Sequence, residues 1–333
     1  MRSTLFIGMR KIFTLFVFVL FLPVIACTSE TMFEEQAQHP TATATIPSQP
    51  AADEVVEGDE TTDSDEVDHD HDHGIEIEAT YLGDYLINDE VYGTQTTVTV
   101  NNGTRTIQTN ALPNHDTGKF PNSGNPNTIT EQSVTYTYTT NPVNTGSGKE
   151  IHVAGVAVNG IKLEPGTAET VACNSGERYR VEGLQDSFDL GMDFNNAHVQ
   201  PTGAYHYHGI SELLIDASRT SEGDLVHIGF AADGYLLYAS SSAVYAPSYE
   251  LNTEVRSGTG CTLSLGRNGG RDVTVEGTVP DGTYTSDWVY NGSGNLDECN
   301  GTTIHGEYAY VITESFPYIP RCLMGEFTEN RKP

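Results

Sequence analysis

The sequence predicts a mainly β protein, a single large β-sandwich-like or two-sheet domain that follows a disordered acidic linker. Runs rich in Val, Thr and Tyr recur between Gly, Asn and Pro punctuation, the pattern of strands joined by turns. Helical periodicity is scarce over the same region. Residues 28–78 hold sixteen acidic side chains and no Lys or Arg, and a stretch so polar cannot bury enough apolar surface to offset chain entropy.

Taken in order, the first expected strands are 96–101 and 133–139, where Val or Tyr alternates with Thr. Residues 151–158 and 225–230 read as nearly continuous apolar runs of strand length. Alternation returns at 261–265 and 271–277. One short helix is expected over 211–217, with Ser211 as its N-cap. The 255 residues from 79 to 333 suffice to bury a full core, and no internal repeat suggests a solenoid or propeller.

Residues 1–26 read as a lipoprotein signal peptide. Arg10-Lys11 supply positive charge, and 12–24 form an apolar run too short for an ordinary spanning helix. Val24-Ile-Ala-Cys27 resembles a bacterial lipobox, in which Cys27 is acylated; the rival is a plain secretory signal with a chance Cys. Several acyl chains together anchor a protein firmly. Thr28 in place of an Asp points, by the same resemblance, to the outer membrane. The expected location is therefore the bacterial cell envelope, on its periplasmic or surface face, with the membrane as partner through the lipid.

Residues 27–78 would form the tether. Within it, Asp68-His-Asp-His-Asp-His73 either captures divalent metal loosely or is a solvated acidic spacer. Residues 79–333 carry thirty acids against thirteen Lys plus Arg, a net charge of −17. That charge argues against nucleic acid and against electrostatic binding to anionic membrane. Nothing in the sequence names a protein partner. Lipidation of Cys27 would leave four of the five cysteines, an even number in an oxidising compartment, with three possible pairings. A Cys/His zinc site is the rival reading, but the chain contains no Cys-x-x-Cys.

The strongest chemical signal is His198-Val-Gln-Pro-Thr-Gly-Ala-Tyr-His-Tyr-His208. On a strand, His206 and His208 share one face while Tyr205 and Tyr207 share the other. Pro201 and Gly203 suit a three-residue hairpin loop over 201–203, which places His198 opposite His206 on that face. A two-residue loop would turn His198 away. Three imidazoles on one face point to a transition metal, copper or zinc, since imidazole suits both.

Asp193-Phe-Asn-Asn-Ala-His-Val-Gln-Pro-Thr-Gly-Ala-Tyr-His-Tyr-His-Gly209 is similar to the core motif of the YHYH-domain proteins. Further blocks fit the same family: Asn114-His-Asp-Thr-Gly-Lys-Phe-Pro121 with Gly124-Asn-Pro-Asn127, Gly155-Val-Ala-Val-Asn-Gly160, His227-Ile-Gly-Phe-Ala-Ala-Asp-Gly-Tyr235, Leu296-Asp-Glu-Cys-Asn-Gly301 and Phe316-Pro-Tyr-Ile-Pro-Arg-Cys322. The sequence departs at Leu236-Leu-Tyr-Ala239, where the family usually has Pro-Ile-Tyr-Gly; the family usually carries a His in or near its last Tyr-x-Tyr strand, and Tyr308-Ala-Tyr310 contains none. The resemblance implies a YHYH domain over 79–333 and brings no activity with it. It also implies Cys299–Cys322, which join its last two blocks, and so leaves Cys173–Cys261.

His227 stands in a matched block as a candidate fourth ligand or supporting partner. His115, beside Asp116, lies in a Gly/Pro/Asn-rich loop of the kind that lines sites. Asp193 and Asp233 are candidate partners that fix an imidazole tautomer, although Asp233-Gly234 equally suits a β-turn. His152 and His305 have no supporting neighbours. The expected function is metal binding or sequestration through His198, His206 and His208, rather than catalysis. One alternative is a metal-dependent hydrolase with a three-His site and Asp189, Asp193 or Asp233 as general base. Another is a carbohydrate or surface-polymer module, given seventeen Tyr. Standard catalytic motifs such as Gly-x-Ser-x-Gly, His-Glu-x-x-His and the phosphate loop are absent.

Overall fold

A computed structural model of the protein describes residues 81–328, apart from 221–222, 241, 243 and 265–269. The signal peptide, Cys27, the acidic segment and the Asp-His tract lie outside the described residues. The described chain is mainly β, as the composition predicts, with its strands gathered into several sheets.

An antiparallel meander comes first: β1 (Tyr85–Asp89), β2 (Thr94–Asn101), β3 (Thr104–Thr109) and β4 (Val134–Thr139). Alternation buries Val98, Ile107, Tyr136 and Tyr138 on one face. β5 (Asn144–Glu150) is largely exposed. The run expected at 151–158 contributes a strand only at β6 (Gly155–Ala157). A short β7 (Lys162–Leu163) follows, then β8 (Thr170–Cys173) and β9 (Arg178–Arg180). The hairpin of β10 (Ala197–Val199) and β11 (Tyr205–Tyr207) carries the histidine motif. The helix α1 (Glu212–Ser218) starts where expected, and Ser211 Oγ accepts from the Leu214 amide at 3.1 Å.

Next come β12 (Leu225–Ala231), β13 (Leu236–Ser240) and β14 (Tyr249–Leu251). β15 (Cys261–Ser264) pairs with β16 (Gly270–Val273), which stops before the expected end at 277. The chain finishes with β17 (Trp288–Tyr290), β18 (Gly301–Ile304), β19 (Glu307–Ile312) and β20 (Cys322–Gly325). The central sheet has eight strands in the order β10-β11-β7-β6-β12-β13-β19-β18.

The meander packs on this sheet through Val156, Val158 and Phe230. A bulge at His227/Gly229 makes that contact possible, because it leaves Ile228 without a partner on β13. The extra residue switches the facing of everything after it. Val226 and Ile228 therefore join the main core, while Phe230 turns to the meander. The smaller sheet β16-β15-β8-β9 has its own core of Val171, Val181, Leu263 and Tyr284. Cys173 and Cys261 lie directly opposite on β8 and β15 and are bonded, as are Cys299 and Cys322.

Candidate metal centre

The hairpin register is the one that brings three histidines to one face. The Gln200 amide donates to the Ala204 carbonyl at 2.9 Å, so the loop holds residues 201–203. Gly203 closes it at φ +88°, a conformation that suits Gly. His198 is then paired with His206. His208, two residues on, points the same way and is tied by its amide to the Asn196 carbonyl at 2.7 Å.

The three rings form a nearly equilateral triangle, with centroids 4.7, 4.8 and 4.7 Å apart. One nitrogen from each lies within 4.8 Å of the others. His206 and His208 are buried, and His198 is half-buried. His198 Nδ1 lies 3.0 Å from the Leu190 carbonyl and His206 Nδ1 3.3 Å from the Ala204 carbonyl. A carbonyl only accepts, so each Nδ1 carries the proton and each Nε2 presents a lone pair. His208 Nε2 faces His198 Nε2 at 3.1 Å. His208 Nδ1 is buried without a hydrogen bond of ordinary geometry, although the Glu164 main chain favours its charged form slightly.

Burial lowers the proton affinity of all three rings. For His206 and His208 the fall is large and is deepened by neighbouring imidazoles, Lys162 and, at His208, Arg321. The rings are therefore neutral at pH 7, the form that binds metal. The main chain comes close to the His208 ring at Gly183. A Cβ on Gly183 would lie 2.9 Å from His208 Cγ and Nδ1, so only Gly lets the main chain come this near.

Three polar residues missed by the sequence reading complete the face. Lys162 on β7 is paired with His206; Glu164 is two residues beyond Lys162, and Gln200 two beyond His198. Lys162 Nζ holds Glu164 Oε1 at 2.7 Å and donates to Gln200 Oε1 at 2.7 Å. The alternation Lys162-Leu163-Glu164 was the available signal. It means little until β7 is known to lie beside β11.

The other four candidates lie away from the triad; His227, His115 and Asp193 correct the sequence reading, while Asp233 takes the β-turn role that the reading also allowed. His227 Nε2 contacts the Gly229 carbonyl at 2.9 Å, and its ring packs on Phe230 and Tyr238. β12 is three strands from β11, about 14 Å at the usual spacing, too far for a shared ion. His115 lies behind the strand. Its Nδ1 donates to the Asp116 carbonyl at 2.9 Å, so Nε2 accepts the Tyr207 hydroxyl at 2.6 Å. Asp193 orients no triad imidazole; it accepts from Tyr205 Oη at 2.8 Å and from the Gly118 amide at 2.9 Å. Asp233 is the turn residue before Gly234, and it holds Tyr310 Oη at 2.6 Å and the Gly325 amide at 2.9 Å. Asp189, considered as a base, accepts from Ser123 Oγ and the Gly191 amide.

Tyr205 and Tyr207 thus anchor the strand from its opposite, fully buried face. Asn159 Nδ2 also donates to Tyr207 Oη at 3.1 Å. Tyr207→Phe would leave the His115 acceptor buried and unpaired. We expect it to cost about 1–3 kcal/mol in urea unfolding while leaving metal affinity unchanged. An unaltered midpoint would show that this network contributes nothing.

Comparison with protein-family models matches residues 135–325, more than half of the chain, to the family described as YHYH protein. No curated protein and no solved structure matches.

Proposed function

The chain belongs to the YHYH protein family, and from that premise we propose that its domain binds a transition-metal ion, copper or zinc, through His198, His206 and His208. The observation that carries this is a triangle of neutral imidazoles, two buried and one half-buried, whose donor nitrogens lie within 4.8 Å of one another. Two nitrogens bound to one tetrahedral zinc at 2.0–2.1 Å are about 3.3–3.4 Å apart, close to the 3.1 Å between His198 Nε2 and His208 Nε2. Around the ring nitrogens stand the other imidazoles, the Leu190 and Ala204 carbonyls and the Glu164 carboxylate. Binding or sequestration is the function proposed, since Asp189, Asp193 and Asp233 spend their hydrogen bonds on main-chain amides and hydroxyls away from the rings.

The test is elemental analysis of the full chain carrying His69→Ala, His71→Ala and His73→Ala, which removes the Asp-His tract as a competing binder. About one equivalent of copper or zinc per chain, lost on chelation, is the expected result; a protein that takes up no stoichiometric metal refutes the proposal. Turnover of a chromogenic ester or phosphodiester by the loaded protein would replace sequestration with hydrolysis.

The same proposal places the domain in the bacterial cell envelope on a lipid at Cys27, supported by the lipobox-like Val24-Ile-Ala-Cys27. Cys27→Ser should move the protein from the membrane fraction to the soluble one, or block signal removal. Palmitate labelling that survives the substitution would rule the anchor out.

A further inference from the structure

We infer that Glu164 is a fourth protein donor to the three-histidine site and makes it selective for divalent over monovalent ions. This rests on the reading of the triad as a metal site and specifies the ion class it takes.

Glu164 Oε2 lies 3.4 Å from His206 Nε2, and the carboxylate side chain is only 13% exposed. His206 Nδ1 faces the Ala204 carbonyl, so Nε2 presents a lone pair to that oxygen. Two acceptors that face each other in a buried place repel unless something positive lies between them. Their 3.4 Å separation is also about the edge length of a zinc tetrahedron. It resembles the 3.1 Å edge between His198 and His208.

Glu164 is also held in an orientation that suits this role. Lys162 Nζ takes Oε1 at 2.7 Å, and Gln200 Nε2 reaches Oε1 and Oε2 at 3.1 and 3.0 Å. Oε2 accepts the Gln200 amide and lies on the imidazole's side, at 3.4 Å from His206 Nε2. The carboxylate can therefore bridge Lys162 and the ion without letting go of either.

Charge decides the selectivity. Three neutral imidazoles leave a divalent ion with both its charges in a dry site, next to the buried ammonium of Lys162. Like charges there repel strongly, and the Glu164 carboxylate offsets one of them. A copper(I) ion carries half the charge and is satisfied by two or three imidazoles. A hard oxygen adds little to so soft an ion.

The experiment uses the full chain with His69→Ala, His71→Ala and His73→Ala as parent. Affinities for zinc(II) and for copper(I) under reductant are measured by competition with chromophoric chelators. Glu164→Gln should weaken zinc(II) by at least about tenfold and change copper(I) less than about threefold. Because this variant strands Lys162 without its counter-ion, the double variant Lys162→Met/Glu164→Gln is measured beside it. If Glu164 is a donor, the double variant should stay at least about tenfold weaker for zinc(II) than the parent. If Glu164 only neutralises Lys162, the double variant recovers the parent's zinc(II) affinity, and the inference is overturned.

Equal zinc(II) affinity in parent and Glu164→Gln, or equal losses for both ions, also overturns it and leaves the triad reading intact. A parent that binds neither ion overturns both.

Discussion

Replacing His206 by Ala should lower the affinity for copper and zinc by more than about 100-fold, and His198→Ala should match it. Loss of a residue that merely supports a metal ligand typically costs about 10–100-fold, so loss of one of three ligands should exceed that. The equivalence of the two variants follows from the register, which pairs His198 with His206. Had the loop held two residues, His198→Ala would be almost silent. His208→Ala belongs to the same class. His227→Ala and His115→Ala should leave affinity unchanged, because these rings bond to Gly229 and to Tyr207 instead. Isothermal titration with each metal separately would measure the series. The metal reading falls if the parent and the His206→Ala/His208→Ala double variant bind equally.

The second large effect concerns stability. Cys299–Cys322 closes a separation of 23 residues and Cys173–Cys261 one of 88. The chain-entropy argument assigns the bridges about 3.4 and about 4.6 kcal/mol respectively. A domain of this size loses about 2–4 °C of melting temperature per kcal/mol. Cys299→Ala/Cys322→Ala should therefore melt about 7–14 °C below the parent, and Cys173→Ala/Cys261→Ala lower still. The double substitutions avoid a free thiol that would confuse the result. Calorimetry that finds either variant within 1 °C of the parent, about the noise expected for a neutral surface change, would show that the bridge adds no stability. Four titratable thiols in the exported protein would show that neither bridge forms.

The triad was legible because everything it needs lies within eleven residues. Alternation sets the face of His206 and His208, and Pro201 with Gly203 sets the loop that returns His198 to the same side. Ser211 likewise announced its helix through a contact three residues away. The cysteine partners are distant, and only the family resemblance pointed to them.

What tertiary structure alone decided depends on which strands became neighbours. β7 runs parallel to β11 across more than forty residues, and that pairing brings Lys162 and Glu164 to the histidines. The bulge beside His227 and the three-strand offset of β12 remove a histidine that its family block had made attractive. Asp193 sits close to the motif in sequence, yet serves the tyrosine face. Local periodicity determines which side of a strand a residue occupies. It carries no information about the strand alongside, because that choice is made by the packing of the whole sheet.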